Sequence, residues 1–323
     1  VDHAISLGAS EAELYCRNVK RLGIEVKDQK IEALESSFSF GYAIRLIREN
    51  KIGFSYSTDI GAIKSVLQNA LEASRYSEPD ENICLPLSKM PQKVEIFDKK
   101  IESITEKDAV EYIMMMELAA FNLDSKIKKT RKVSGSFSVS STYIVNSHGM
   151  MVDYSATSCS AQIMAIAEDG KDSQMGWYYS GSRFLDEIDF KKVGEEAAKR
   201  ASFLLNAKKI YPSKGFILFD GLIVVDFLSL LANSLSSEAV QKGKSLLANK
   251  ISNQVLSEKL NVIDNGVMNY KLGSRPVDDE GVPTQHKVLI EKGVLKTFLY
   301  NTYTAKKDKV FSTGNAFRGG YTN

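Results

Sequence analysis

Histidine and cysteine are both scarce, at three apiece in 323 residues. The cysteines, Cys16, Cys84 and Cys159, form no C-x-x-C pair. An odd, dispersed set argues against a disulfide framework and for a reducing compartment. His3, His148 and His286 are equally scattered, and no two of them, nor any His–Cys pair, stand at metal-ligand spacing. That counts against a local zinc site. No G-x-S-x-G occurs, so a nucleophile elbow is missing as well. Neither sign of charge dominates: the net charge of +2 gives no strong steering toward nucleic acid or membrane. Long apolar runs are absent; stretches such as Gly221–Val225 are far too short to span a bilayer. No signal peptide is visible, and an opening on Val1 suggests that residues precede it.

What is present is ordinary globular composition, 43% hydrophobic and 25% charged, in a chain long enough for two domains. Leu22–Val26 and Gly41–Ile47 are rich in β-branched and aromatic residues and read as strands. Glu49-Asn50-Lys51 is a hairpin turn, and Ile52–Ser57 returns as a strand. Thr58-Asp59 offers an N-cap to a helix with Ile63, Val66, Leu67, Ala70 and Leu71 on one face. Tyr76–Pro91 reads as a loop, and Thr105 to Asp108 as a capping box that opens a second helix through Ala120. Strands are expected between Val133 and Arg183, then a helix from Asp189 to Leu205.

The two halves of this region resemble each other. Ile44, Ile47, Glu49 and Asn50 correspond to Ile163, Ile166, Glu168 and Asp169, and Ile52-Gly-Phe-Ser-Tyr-Ser57 corresponds to Met175-Gly-Trp-Tyr-Tyr-Ser180. The expected fold class is therefore α+β. Its N-terminal domain (1–207) holds duplicated antiparallel-strand/helix units, about 11–76 and 126–206, with strands in one layer and helices in the other. A strand-rich C-terminal domain (213–323) follows. It is expected to hold a strand at Phe216–Phe219, an apolar helix at 222–235, a further helix at Lys250–Leu260 and a strand at Val262–Asp264. A hairpin with arms Val288–Ile290 and Val294–Tyr300 ends the series.

Two charged stretches invite a functional reading. Asp278, Asp279 and Glu280 stand together between Pro276 and Pro283, with Arg275 before them and Gly281 after. They can form a solvated, ion-paired turn, or the rim of a substrate cleft or subunit interface. Three neighbouring carboxylates alone seldom converge on one cation. The basic run Lys126-Ile-Lys-Lys-Thr-Arg-Lys132 could meet phosphates, but a solvated strand edge guarded by lysines fits a nearly neutral chain better.

An ordered series of motifs covers essentially the whole chain. It comprises Gly41-Tyr-Ala-Ile-Arg45, Ile52-Gly-Phe54, Ser274-Arg-Pro-Val-Asp-Asp-Glu-Gly-Val-Pro-Thr284, Leu289–Lys296, Thr302-Tyr-Thr-Ala305 and Ser312-Thr-Gly-Asn-Ala-Phe-Arg318. In these the chain resembles the TldD/PmbA family, whose members also carry the name modulator of DNA gyrase. The resemblance implies that the C-terminal domain is incomplete here, because family chains run on. It also implies one of two branches. The TldD-like branch resembles metallopeptidases with an H-E-x-x-x-H helix and a cysteine ligand from the C-terminal domain. The PmbA-like branch, also called TldE, lacks the metal motif and pairs with the active subunit. Counting back from Gln241-Lys-Gly-Lys-Ser245 puts Leu228, Ser229 and Asn233 at the His, Glu and His positions, which is the PmbA pattern.

The chemistry of those residues agrees. Leu228 cannot ligate, Ser229 is a poor general base near neutral pH, and Asn233 is a weak zinc ligand. No catalytic residue, metal or other cofactor is therefore expected in this chain, although its family is one of enzymes. The resemblance implies a TldD-like metallopeptidase partner and an extended or unfolded peptide as substrate, in the cytoplasm, with no direct contact to nucleic acid or membrane. Arg275, Asp278, Asp279, Glu280 and Gly281 would line the cleft or interface. A homodimeric peptide-binding scaffold without hydrolysis is the alternative, and a regulator linked to DNA gyrase a lesser one.

Overall fold

The structure is a computed structural model that describes residues 1–322. A short helix α1 (Asp2–Ser6) leads into strands β1 (Glu11–Lys27), β2 (Lys30–Arg48) and β3 (Lys51–Ser57), and helix α2 (Ile63–Tyr76) follows. Helices α3 (Lys99–Glu102) and α4 (Glu106–Leu123) precede β4 (Ile127–Asn146), β5 (Met151–Asp169), β6 (Asp172–Ser182) and helix α5 (Phe190–Phe203). The C-terminal part holds α6 (Gly221–Ser234), α7 (Ser237–Gln241), β7 (Val262–Asn265), β8 (His286–Glu291), β9 (Val294–Leu295) and α8 (Thr302–Lys307).

Local chemistry explains the joints. Asp28-Gln29 and Glu49-Asn50 carry positive φ at both positions, as a two-residue hairpin turn between right-twisted strands requires. The first of these turns is held from outside. Glu117, wholly buried on α4, accepts hydrogen bonds from the backbone N–H groups of Asp28 (3.1 Å) and Gln29 (2.7 Å) and from Thr130 Oγ1 (2.6 Å). Helix α4 starts on the expected capping box, with Asp108 N–H donating to Thr105 Oγ1 at 3.1 Å. Helix α5 starts on Asp189, whose carboxylate accepts from Lys192 N–H at 3.0 Å.

All six long strands form one antiparallel sheet in the order β3-β2-β1-β4-β5-β6. The two three-stranded sets thus meet at β1 and β4, from Glu13 opposite Asn146 to Val26 opposite Val133. Helices α2, α4 and α5 cover one face. Beneath α4 and α5 lies the largest apolar cluster, with Ile24, Val133, Phe137, Ile163, Ile113 and Met116; a second cluster joins α2 to Tyr42, Ile44 and Leu46. Two glycines allow the close approach. A methyl group on Gly53 of β3 would lie 2.1 Å from the Ala70 carbonyl oxygen, and one on Gly176 of β6 would lie 2.1 Å from that of Ala197. These are the paired glycines of Ile52-Gly-Phe54 and Met175-Gly-Trp177.

The basic run falls at the start of β4. Residues 127–132 extend beyond the end of β1 and pair only with β5, so this is a local strand edge. Lys126, Lys129 and Lys132 pair with Asp169 (2.9 Å), Glu168 (2.6 Å) and Glu25 (3.4 Å).

The C-terminal part departs from expectation in three places. Phe216–Phe219 is not a strand; residues 207–220 have no regular structure and are exposed. Lys250–Leu260 is a series of turns rather than a helix, with Asn249 and Ser252 at positive φ. The hairpin's second arm is regular only at Val294–Leu295, because Lys296–Tyr300 turns away to pack Phe298 and Tyr300 against Leu235 and Ala305. Helix α6 does form, N-capped by Asp220, and leaves Ile223, Val225, Phe227 and Leu230 exposed.

Candidate functional site

The acidic loop lies where the sheet's second face meets the C-terminal residues. Tyr15 of β1, Ile144 of β4 and Met150 form a small apolar cluster with Val277, flanked by Tyr154 and Tyr321. Val277 pairs with Pro283 as an isolated antiparallel bridge, which closes the loop on itself. Gly281 stands at φ 84°, and a methyl group there would lie 2.1 Å from Met150 Sδ, so both its backbone angle and its surroundings favour glycine.

A solvated turn is therefore not what forms. Asp278, Asp279 and Glu280 are 0%, 5% and 7% exposed. Such burial demands a partner for every carboxylate oxygen, and partners are present. Asp278 Oδ1 accepts from the N–H groups of Glu280 and Val282, both at 2.9 Å, and its Oδ2 accepts from Ala316 N–H at 2.9 Å. Asp279 pairs with Arg275 at 2.6 Å and accepts from Arg318 N–H at 2.8 Å. Glu280 meets Arg45 at 3.4 Å and accepts from Thr302 N–H at 2.9 Å. Behind them Glu13, fully buried on β1, pairs with Arg45 at 3.1 Å and with Arg318. The Arg318 guanidinium lies over the Tyr15 ring at 4.9 Å, a cation–π contact.

Four carboxylates here face three guanidiniums, those of Arg45, Arg275 and Arg318. Asp278 has no guanidinium of its own. Burial first, and the nearby Glu280 charge second, push its pKa up to about 7 against the pull of its three backbone donors. Tyr15 is likewise pushed up to about 12, mainly by burial. The cluster links both ends of the chain: Glu13 and Arg45 come from the first hairpin, and the other members lie beyond residue 274. Glu13, Arg45 and Arg318 are members that were not among the candidate site residues; the two arginines stood only inside family motifs, and Glu13 in none. Ala12 and Leu14 point to the helix-covered face, so strand alternation alone would turn Glu13 toward solvent; only Tyr15, two residues on, shares its buried side.

Leu228, Ser229 and Asn233, expected at the motif positions, lie elsewhere, on α6. Leu228 is half exposed, and Ser229 spends its hydroxyl on the Val225 carbonyl of its own helix at 2.9 Å. A leucine, an intrahelically bonded serine and an asparagine do not fit a catalytic zinc. The scattered His and Cys residues do not converge. His148 sits on the β4–β5 turn within 3.1 Å of Glu11, and His286 is exposed on β8. Cys159 is buried in the core, its thiol pushed up to about 12 chiefly by burial. Among the described residues no three His, Cys, Asp or Glu side chains are arranged to hold a metal ion.

Known proteins share both the sequence and this architecture. Models for the PmbA/TldA metallopeptidase family match residues 12–74 (domain 1), 99–205 (central domain) and 212–323 (C-terminal domain). The chain is 30% identical to the metalloprotease PmbA homolog of Buchnera aphidicola subsp. Acyrthosiphon pisum, over 97% of this chain and 71% of that protein. It is 25% identical to the metalloprotease PmbA of Escherichia coli O157:H7, over 97% of this chain and 70% of that one. A crystal structure described as a modulator of a DNA gyrase from Thermotoga maritima superposes with a TM-score of 0.91 at 25% identity, covering 99% of this chain and 74% of that one. TldE from Thermococcus kodakarensis has the same fold, at a TM-score of 0.86 and 21% identity, covering 100% of this chain and 74% of that one. With three successive domains matched, and with a 30% identical relative covered over 71% of its length, this chain belongs to the PmbA/TldD metallopeptidase family.

Proposed function

We propose that this chain is a non-catalytic, PmbA/TldE-like subunit of a TldD-type metallopeptidase assembly that acts on extended or unfolded peptides. One observation carries the reading: counted back from Gln241-Lys-Gly-Lys-Ser245, the stretch where the motif would fall reads Leu228-Ser-Leu-Leu-Ala-Asn233, without a histidine or glutamate, in a chain that otherwise matches the family. The protein would work in the cytoplasm, beside a partner bearing H-E-x-x-x-H. Its own part is architectural. The buried network of Glu13, Arg45, Asp279, Glu280 and Arg318 would hold the C-terminal residues against the sheet, so that the loop from Arg275 to Gly281 forms a stiff wall of the shared cleft. A rigid wall suits a substrate that brings no fold of its own, because less must be ordered on binding.

The reading is tested by assaying hydrolysis of an unstructured peptide by the protein alone, by an H-E-x-x-x-H partner alone and by the mixture. Chelator-sensitive cleavage that needs the partner, together with co-elution of the two proteins, supports it. A stable homodimer that binds peptide and ignores such a partner would favour the scaffold instead.

A further inference from the structure

Four arginines hold a buried Nε without a hydrogen-bond partner: Arg17, Arg45, Arg183 and Arg200. Two of them are charge-balanced elsewhere on the same group, Arg45 by Glu13 and Glu280 and Arg200 by Asp220. Arg17 and Arg183 meet no carboxylate among the described residues. Arg183 gives its terminal nitrogens to the carbonyls of Thr157 (3.2 Å) and Ser274 (3.3 Å), neither of which carries a charge. Arg17 is half-buried and makes no side-chain hydrogen bond among the described residues.

The two arginines belong to one place. Arg17 lies opposite Gly41 on β2 and Thr142 on β4, and Thr142 lies opposite Tyr154 on β5. This row is on the sheet face away from the helices, beside the Tyr15 cluster. Strand alternation puts Arg183 on the same face: Ser182 stands opposite the core residue Cys159, so the next residue points the other way. Burial lowers the Arg183 pKa, and the like charges of Arg17 and Arg275 push the same way, while Tyr154 opposes them. Of these three cations only Arg275 has an anion, Asp279. Along the sheet from this corner the face is polar and mostly small. Ser138 and Ser158 hydrogen-bond across it at 2.8 Å, and beyond them a cavity of about 220 Å³ is bordered by Arg21, Ser136, Ser160, Gln162 and Tyr179.

Uncompensated charge half-removed from water is costly unless an anion completes it. We propose that Arg17 and Arg183 form a carboxylate subsite, which takes the C-terminal carboxylate of an extended peptide lying across the serine-lined face of the sheet. The unclaimed planar fork of Arg17 matches two carboxylate oxygens, and Arg183 supplies the second charge. The hydroxyls and amide along the face offer both donors and acceptors to a peptide backbone without regard to its side chains. The inference rests on the peptide reading above and adds a polarity to it: the chain end would lie at the wall, and the body of the peptide would run outward.

A fluorescent unstructured peptide, made with a free C-terminal acid and with a C-terminal amide, tests this by anisotropy on the full-length protein. The acid should bind at least tenfold tighter. Arg17→Gln and Arg183→Gln should each bring that ratio toward one, and Arg17→Lys, which keeps the charge, should retain part of it. Should a glutamine variant fail to fold, the lysine variant and the acid–amide ratio of the unaltered protein still decide. Equal affinity for acid and amide overturns the subsite and leaves the peptide reading standing. No binding of either overturns the subsite and leaves the assembly reading to the mixing experiment above. Displacement of the acid peptide by equimolar inorganic phosphate would make this a phosphate site and overturn the carboxylate assignment.

Discussion

Glu13 faces two arginines, and its side chain is wholly buried. Removing it would leave Arg45 and Arg318 short of a counter-charge in a place closed to water. Breaking a buried pair from one side costs about 3–5 kcal/mol. Glu13→Ala should therefore lower the unfolding free energy read from urea titration by that order, whereas Glu49→Ala, on an exposed turn, should leave it nearly unchanged. Asp278 gives a second test, read against pH. Its folded pKa of about 7 lies above the unfolded carboxylate value, so the native state holds a proton that the unfolded state has released. Stability should fall as pH rises from about 4 to about 7 and stay lowered above that, by a contribution on the order of 4 kcal/mol. Asp278→Asn should flatten this part of the profile in denaturant titrations at pH 4 to 8. Equal slopes in the two proteins would show that Asp278 ionises normally.

At the scale of elements, the third strand of each unit is tied to the helix after it by a glycine. Gly53 sits against α2 and Gly176 against α5, each with a backbone carbonyl where a methyl group would go. A backbone atom cannot swing aside as a side-chain tip can, so each alanine substitution should force helix and strand apart, at about 1–3 kcal/mol or more. Gly170→Ala makes a poor control because of its positive φ, but Gly215→Ala, with open space around it, should be silent. The two sensitive glycines were legible as a repeated Ile-Gly-Phe and Met-Gly-Trp pattern, and so were the turn at Glu49-Asn50, the cap Thr105 and a helix start at Asp189. These are local effects, set by residues adjacent in the chain. Strand length was not legible: β1, β2, β4 and β5 run to 17–20 residues. The outer half of β2, from Lys30 to Ser39, is exposed on nearly every residue, so no apolar alternation marks it as strand. Val255 and Leu256 of the expected Lys250–Leu260 helix are spent on contacts to the C-terminal cluster instead, through backbone bonds to Gly293.

Across the whole molecule, one sheet carries both strand sets, and the C-terminal residues sit on its free face through a buried ionic cluster. The loop from Arg275 to Gly281 drew attention for its charge, but its burial was hidden in the sequence. Burial is decided by Tyr15, Met150 and Arg318, which lie well over a hundred residues to one side and some forty to the other. The reading of Leu228, Ser229 and Asn233 as stand-ins for metal ligands rests on side-chain chemistry that needs no fold to be judged. It leads to the proposal that this chain carries no catalytic metal centre and depends on a partner for hydrolysis. Elemental analysis of the tag-free, full-length protein after exhaustive dialysis tests that claim most directly. The account predicts zinc far below stoichiometric. About one retained equivalent, lost together with peptide hydrolysis by the protein alone on chelation, would contradict it.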